Sequence, residues 1–359
     1  MARVYNFSAG PATLPLEVLQ EAQAEFVDFK GTGMSLIEAS HRGKAYDAVH
    51  EEAVANISKL AGLTDDYAVA FMTGGASQQF AQIPMNLLGE NDTADYVNTG
   101  AWTKKAIAEA KLQRSIKVIA DVSKESPLRM PREDEFKVNK DAVYLHLCSN
   151  ETIAGTQLKK FPKVDVPIVA DMSSDMFSRP FDIRQFGAIY AGAQKNMGPA
   201  GVTIVIMRKD LAARVSEKVP KIFRYTTHIE NNSLYNTPPT FSIYIVMLVT
   251  RWIMKNGGLA GIEKMNAAKA AKIYDAIDAS SFYRSPVAND SRSFMNITFR
   301  LPSEELEAQF VAEAKKLKMD GLKGHRDVGG IRASIYNAFP MEGIDALVQF
   351  MTDFEKKNG

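Results

Sequence analysis

The sequence predicts an α/β fold: a mostly parallel sheet sandwiched by helices, joined to a smaller α+β domain. Three observations carry this. Seven short, apolar runs, at 67–72, 94–97, 116–120, 142–148, 167–170, 188–191 and 202–207, read as strands, most of them buried on both faces. Helical patterns at 77–88 and 102–112 separate several of them and are long enough to cross over between parallel strands. After Thr240 the texture changes to two long helical patterns, 241–255 and 259–279, parted by Gly257 and Gly258.

Each element has a local reason. A helix starts after Pro15, since proline is tolerated in a first turn, and runs to Gly31, a residue suited to the end of a helix. Ala45, Val49, Ala53, Ile57 and Leu60 recur every three or four residues and mark the buried face of a second helix. The C-terminal part combines strand-like runs at 294–299 and 331–336 with helices at 303–318 and from Met341. The expected division is a large α/β unit, 16–257, and a small α+β unit built from 1–15 and 258–359. The 359 residues suit about two domains at ~150 residues each.

Composition narrows the function. Apolar residues make up 46% and charged residues 24%, ordinary values for a globular chain. The 43 Lys and Arg against 42 Asp and Glu leave a net charge of +1, with none of the surplus that nucleic acid or anionic lipid binding draws on. The single cysteine, Cys148, permits no intrachain disulfide, and the five histidines form no HxxxH pair, so no metal is expected. The first residues, MARVYNFSAGPATLP, lack the apolar core of a signal peptide, and the longest apolar run, 241–249, is about half the ~20 residues that span a bilayer. A soluble, cytoplasmic protein is expected, bound to neither membrane nor nucleic acid.

Chemistry concentrates at strand ends. In FMTGGASQQF a strand runs into Gly74 and Gly75 and a helix begins at Ala76, Ser77 and Gln78; such a turn exposes backbone N–H groups to a phosphate. An ordinary βα turn with a serine cap accounts for it equally well. Asp171 ends one apolar run and Lys195 another, and strands of a parallel sheet deliver their carboxyl ends to one crevice. Either residue alone reads as an ion pair or a solvated strand end. Phosphate cradle, acid and lysine together match what pyridoxal phosphate needs: a lysine for the Schiff base and a carboxylate for the pyridine nitrogen. Trp102 suits a ring stack or a core aromatic, and Thr152 a ring hydroxyl or plain loop chemistry.

The segments NFSAGPATLP, GMSLIEASHR, GGASQQFAQIPMNLL, NTGAW, CSNETIAG, VADMSSD, AGAQKNMGPAG, NSLYNTPPTFSIY and GHRDVGGIRASIYNAFP are rare in combination. Through them the chain resembles, nearly end to end, the phosphoserine aminotransferase family, whose members are class V, fold-type-I pyridoxal phosphate enzymes. The resemblance implies that Lys195 carries the cofactor, Asp171 pairs with its nitrogen, Trp102 stacks on its ring and Thr152 contacts its hydroxyl. It implies that Ala76, Ser77 and Gln194 hold the phosphate, completed across a homodimer interface by Asn236 and Thr237. Substrate anions are assigned to His41, Arg42, His325 and Arg326, and the α-carboxylate to Arg332. Arginine's planar fork suits those anions, and imidazole charge adjusts near neutral pH.

The implied reaction is amino transfer between L-glutamate and 3-phosphohydroxypyruvate, giving O-phospho-L-serine and 2-oxoglutarate in serine biosynthesis. The family suggests 4-phosphohydroxy-L-threonine, in pyridoxine biosynthesis, as a further substrate. An alanine:glyoxylate-type class V aminotransferase is the alternative, though it needs fewer distal cations. A desulfurase needs a nucleophilic cysteine on a mobile loop, whereas Cys148 ends a strand, and a dinucleotide enzyme needs GxGxxG, which is absent. Gly43, Ala101 and Thr103 depart from the family pattern beside the functional positions, Gly43 adding freedom to the loop of Arg42. Residues 123–140 match nothing assignable.

Overall fold

The computed structural model describes residues 3–326 and 328–359. Its centre is a seven-stranded sheet: β1 (Tyr67–Met72), β2 (Thr93–Asn98), β3 (Ser115–Asp121), β4 (Leu145–Cys148), β5 (Ile168–Asp171), β6 (Phe186–Gly192) and β7 (Thr203–Arg208). Their spatial order is β1-β7-β6-β5-β4-β2-β3. All neighbours run parallel except β7, which is antiparallel to both β1 and β6. The reversal follows from chain length: only residues 193–202 join β6 to β7, too few for a crossover but enough for a turn. Lys195 sits in that short connection.

Helices cover both faces, as the sequence predicts. Four precede or interleave with the strands: α1 (Leu16–Ala24), α2 (Lys44–Ala61), α3 (Gly75–Leu87) and α4 (Ala101–Lys111); α5 (Thr240–Lys255) follows them. Strand alternation sorts the core: Val69 and Phe71 of β1 join the layer holding Val49, Ile57 and Val246, while Ala70 and Met72 join the opposite layer with Phe80 and Ile107. The helix expected up to Gly31 stops at Ala24. Asp28 there accepts the Gly33 N–H at 2.7 Å and Lys30 adopts φ 51°, so a local turn overrides the continuing apolar pattern.

The long helix α6 (Gly258–Asp278) then crosses between cores, Ile262 packing into the first layer and Ala270, Ile273 and Ile277 into a separate cluster. That cluster is closed by the antiparallel pair β8 (Asn296–Phe299) and β9 (Ile331–Ser334) and by α7 (Glu304–Lys316) and α8 (Met341–Asn358). Tyr5–Asn6 pairs in parallel with Met319–Asp320, so the N-terminal segment is built into this part. Residues 123–140 cross from β3 toward it: Leu128 bridges Val287 and the Met130 N–H reaches Ser291 Oγ. Among the described residues, no helix is long and apolar enough to cross a membrane.

Candidate active site

The carboxyl ends of β4, β5 and β6 open onto the N-termini of α3 and α4, leaving a cavity of about 140 Å³. Ala76 and Ser77 line it from the first turn of α3, and Trp102 from the first turn of α4. Thr152, Asp171, Gln194 and Lys195 complete the wall. Seven residues singled out in the sequence therefore converge, because parallel strands deliver their ends to one edge.

The turn before α3 decides between its two readings. Gly74 takes φ 84°, the left-handed region glycine favours, and the helix starts at Gly75, which puts Ser77 inside the first turn instead of at the cap. With no side-chain cap at Gly74, and with Gly75, Ala76 and Ser77 lining the cavity, the start of α3 is suited to an anion.

Lys195 Nζ donates to Thr152 Oγ1 at 2.8 Å and lies 5.5 Å from the centre of the Trp102 ring. Burial pushes its amine below the usual lysine range, against the pull of Asp171. Asp171 is 4% exposed; burial raises its carboxyl, while hydrogen bonding from Ser173, including the backbone N–H at 2.9 Å, favours the charged form. Cys148, paired in register with Asp171, is buried, and its thiol is pushed well up, so it is no thiolate nucleophile.

These groups fit pyridoxal phosphate. An amine, a carboxylate, an aromatic face, a hydroxyl and an anion-seeking helix start share one small cavity, and Trp102 Nε1 is buried without a hydrogen-bond partner among the described residues.

The cations are more dispersed. Arg332 of β9 reaches the Thr152 carbonyl at 3.4 Å through Nη1, its Nε is buried without a partner among the described residues, and its charge bears on Lys195. His325, half-buried, and Arg326, exposed, stand on the loop before β9, outside the cavity wall. His41, half-buried, and Arg42, exposed, lie ahead of α2, also outside it; Gly43 serves as the extended N-cap of that helix. Asn236 and Thr237 are exposed, Asn236 lining a second cavity with Thr73 and Gln78.

Sequence reasoning passed over Glu151. It is fully buried beside Thr152, and its carboxylate reaches Thr99, Trp102 and Thr103 across the start of α4. Thr103, read as a departure from the family pattern beside the functional positions, is 1% exposed; its Oγ1 accepts the N–H groups of Thr99 and Gly100 and lies 3.3 Å from the Glu151 carboxylate. The available signal was an acid placed directly against Thr152 at the end of a buried strand.

Fold and site define an aminotransferase: the chain belongs to the class-V aminotransferase family, which matches residues 4–347. At the level of individual proteins it is 56% identical to the phosphoserine aminotransferase of Niallia circulans, over 99% of each chain. The solved phosphoserine aminotransferase from Bacillus circulans subsp. alkalophilus superimposes with a TM-score of 0.96 at 55% identity, covering 99% of both chains. A pyridoxal phosphate-bound phosphoserine aminotransferase from Trichomonas vaginalis does so at 0.94 and 42% identity, covering 98% of this chain and all of that one.

Proposed function

We infer that this chain is a pyridoxal phosphate-dependent transaminase that moves the amino group between L-glutamate and 3-phosphohydroxypyruvate, yielding O-phospho-L-serine and 2-oxoglutarate. The observation that carries it is Lys195 and Asp171 meeting in one cavity with the open start of α3, in a chain 56% identical end to end to a phosphoserine aminotransferase. When bound, the cofactor supplies an aldehyde that condenses with amines and a ring that accepts the electron pair released at the substrate α-carbon.

In this reading Lys195 Nζ would be the attachment point for the cofactor and the base that takes the substrate α-proton. Its lowered pKa supports both roles, which need a neutral amine. Asp171 holds a proton on the ring nitrogen, Trp102 covers one ring face and Thr152 Oγ1 contacts the ring hydroxyl. Ala76 and Ser77 offer backbone N–H groups to the phosphate, with Gln194 beside them. Arg332 orients the α-carboxylate, while His41, Arg42, His325 and Arg326 bind the distal phosphate or carboxylate. The two His-Arg pairs that the family resemblance assigns to the distal anion support a dianionic substrate over alanine and glyoxylate.

The reading extends to assembly. Asn236 and Thr237 belong to the phosphate cradle of a partner copy in a homodimer, which is supported by their exposure and by exposed Leu16, Phe26, Val27, Met34 and Ile37 around α1. Residues 16–257 act as the large domain and 1–15 with 258–359 as the small one, in keeping with the separate core around Phe299 and Phe310. A reducing, cytoplasmic setting suits the single buried thiol. The test is an acceptor panel with glutamate as donor. Preference for 3-phosphohydroxypyruvate over its unphosphorylated analogue and glyoxylate is expected; preference for glyoxylate would sink the assignment.

A further inference from the structure

Glu151 is a buried acid without a part in that mechanism. Burying a carboxylate is costly unless donors surround it, so its partners are informative. Thr99 Oγ1 and the Thr103 backbone N–H donate to Oε1 at 3.1 and 3.4 Å, and the Trp102 backbone N–H donates to Oε2 at 3.5 Å. These N–H groups belong to the first turn of α4, where the helix has no partners of its own and favours negative charge. The residue at the N-cap, Gly100, supplies no side chain; a Cβ there would sit 2.9 Å from the Glu151 carboxylate. The space that a local cap would fill is thus occupied by an acid from fifty positions along the chain.

We propose that Glu151 is a positioning residue for the cofactor site: its carboxyl group caps α4 from the turn that carries Thr152, and so fixes the indole of Trp102 relative to the hydroxyl of Thr152. One acid ties the face-covering residue to the hydroxyl-contacting residue, which otherwise come from separate crossovers. Thr103 supports the join by accepting the N–H groups of Thr99 and Gly100 at 2.8 and 3.0 Å, which holds the turn before α4 against Glu151. The proposal rests on Trp102 and Thr152 contacting pyridoxal phosphate.

The chain has two tryptophans, Trp102 and Trp252, so Trp252→Phe leaves Trp102 as the only indole emitter. Apoprotein of that parent is titrated with pyridoxal phosphate, following emission and visible circular dichroism, alone and with Glu151→Ala or Glu151→Gln. In the parent, cofactor binding should quench Trp102. In Glu151→Ala the saturating quench should fall by about half or more as the stacked pair separates. Cofactor Kd should rise about 2- to 30-fold, the range corresponding to a lost helix cap. Turnover should drop more than KM for glutamate changes. Glu151→Gln keeps the volume and one acceptor oxygen but turns an amide donor toward N–H groups, so it should fall between parent and alanine variant.

Quench, dichroism and Kd unchanged in folded Glu151→Ala would overturn the proposal. If that variant does not accumulate folded, Glu151→Gln decides: a saturating quench below the parent's supports the proposal, a parental one overturns it. Absence of quenching in the parent itself would instead remove Trp102 from the cofactor, a failure of the underlying assignment.

Discussion

Lys195 Nζ and Thr152 Oγ1 are 2.8 Å apart, so the amine proposed for covalent attachment is held by the hydroxyl proposed to contact the cofactor ring. The bond keeps the lysine inside the cavity, where burial lowers its pKa. Lys195→Ala should therefore abolish covalent attachment and slow transamination by at least about 10³-fold, the upper part of the range for a lost acid–base group. Mass spectrometry after borohydride treatment checks the first, since only the wild type should retain the cofactor's mass. Near-normal turnover in the variant would remove Lys195 from the mechanism.

Asp171 is the acid whose charged form Ser173 and Lys195 favour against burial. Asp171→Asn keeps the shape but removes the charge that would hold the ring-nitrogen proton. Cofactor should still attach, while single-turnover absorbance changes with glutamate slow by about 10²-fold, the scale of losing one preorganised electrostatic group. Traces matching wild type would contradict the role.

Lys269 supplies a pH prediction unrelated to catalysis. It is 2% exposed and donates to the carbonyls of Ile335, Tyr336 and Asn337 just after β9; burial lowers its pKa to about 7. The unfolded lysine titrates near ~10.4, so between these values the unfolded chain holds the extra proton and stability rises with pH. Below about pH 7 both states are charged and this contribution is flat. Lys269→Gln, which still donates but does not titrate, should remove up to ~1.4 kcal/mol per pH unit from the slope of unfolding free energy between pH 7.5 and 9.5. Identical slopes in denaturant titrations would refute it.

The legible parts of this chain are those that local pattern determines. β1 spans 67–72 as its apolar run predicts, and Asp171 and Lys195 were readable as neighbours because Asp171 closes β5 and Lys195 follows the end of β6 at the same edge. The run at 142–148 forms a regular strand only from Leu145, although the Val143 N–H already reaches the Thr93 carbonyl of β2. The helix predicted to Gly31 failed where Asp28 satisfied Gly33 locally. Glu151 was illegible for another reason: its meaning depends on Thr99, Trp102 and Thr103, and no spacing rule links residues fifty positions apart. Arg42 and Thr237 are exposed, and family resemblance alone gave them roles.

The proposed split among the arginines gives the sharpest test of substrate class. Arg332 touches the Thr152 turn beside Lys195, within the site, and is proposed to bind a group that every amino acid carries. Arg332→Ala should therefore depress phosphoserine, glutamate and alanine by similar factors in kcat/KM. Arg42 and Arg326 are proposed to meet only the distal anion, which alanine lacks. A charge-assisted hydrogen bond contributes roughly 1.5–3 kcal/mol, so Arg42→Ala and Arg326→Ala should each cost phosphoserine about 10- to 150-fold. Glutamate should follow, since its side-chain carboxylate shares the pocket, while alanine should change little. The measurement is a matrix of three variants against three amino donors. If the Arg42 and Arg326 variants scale all three donors equally, neither arginine forms the distal pocket, and the specificity for a phosphorylated substrate must arise from other residues.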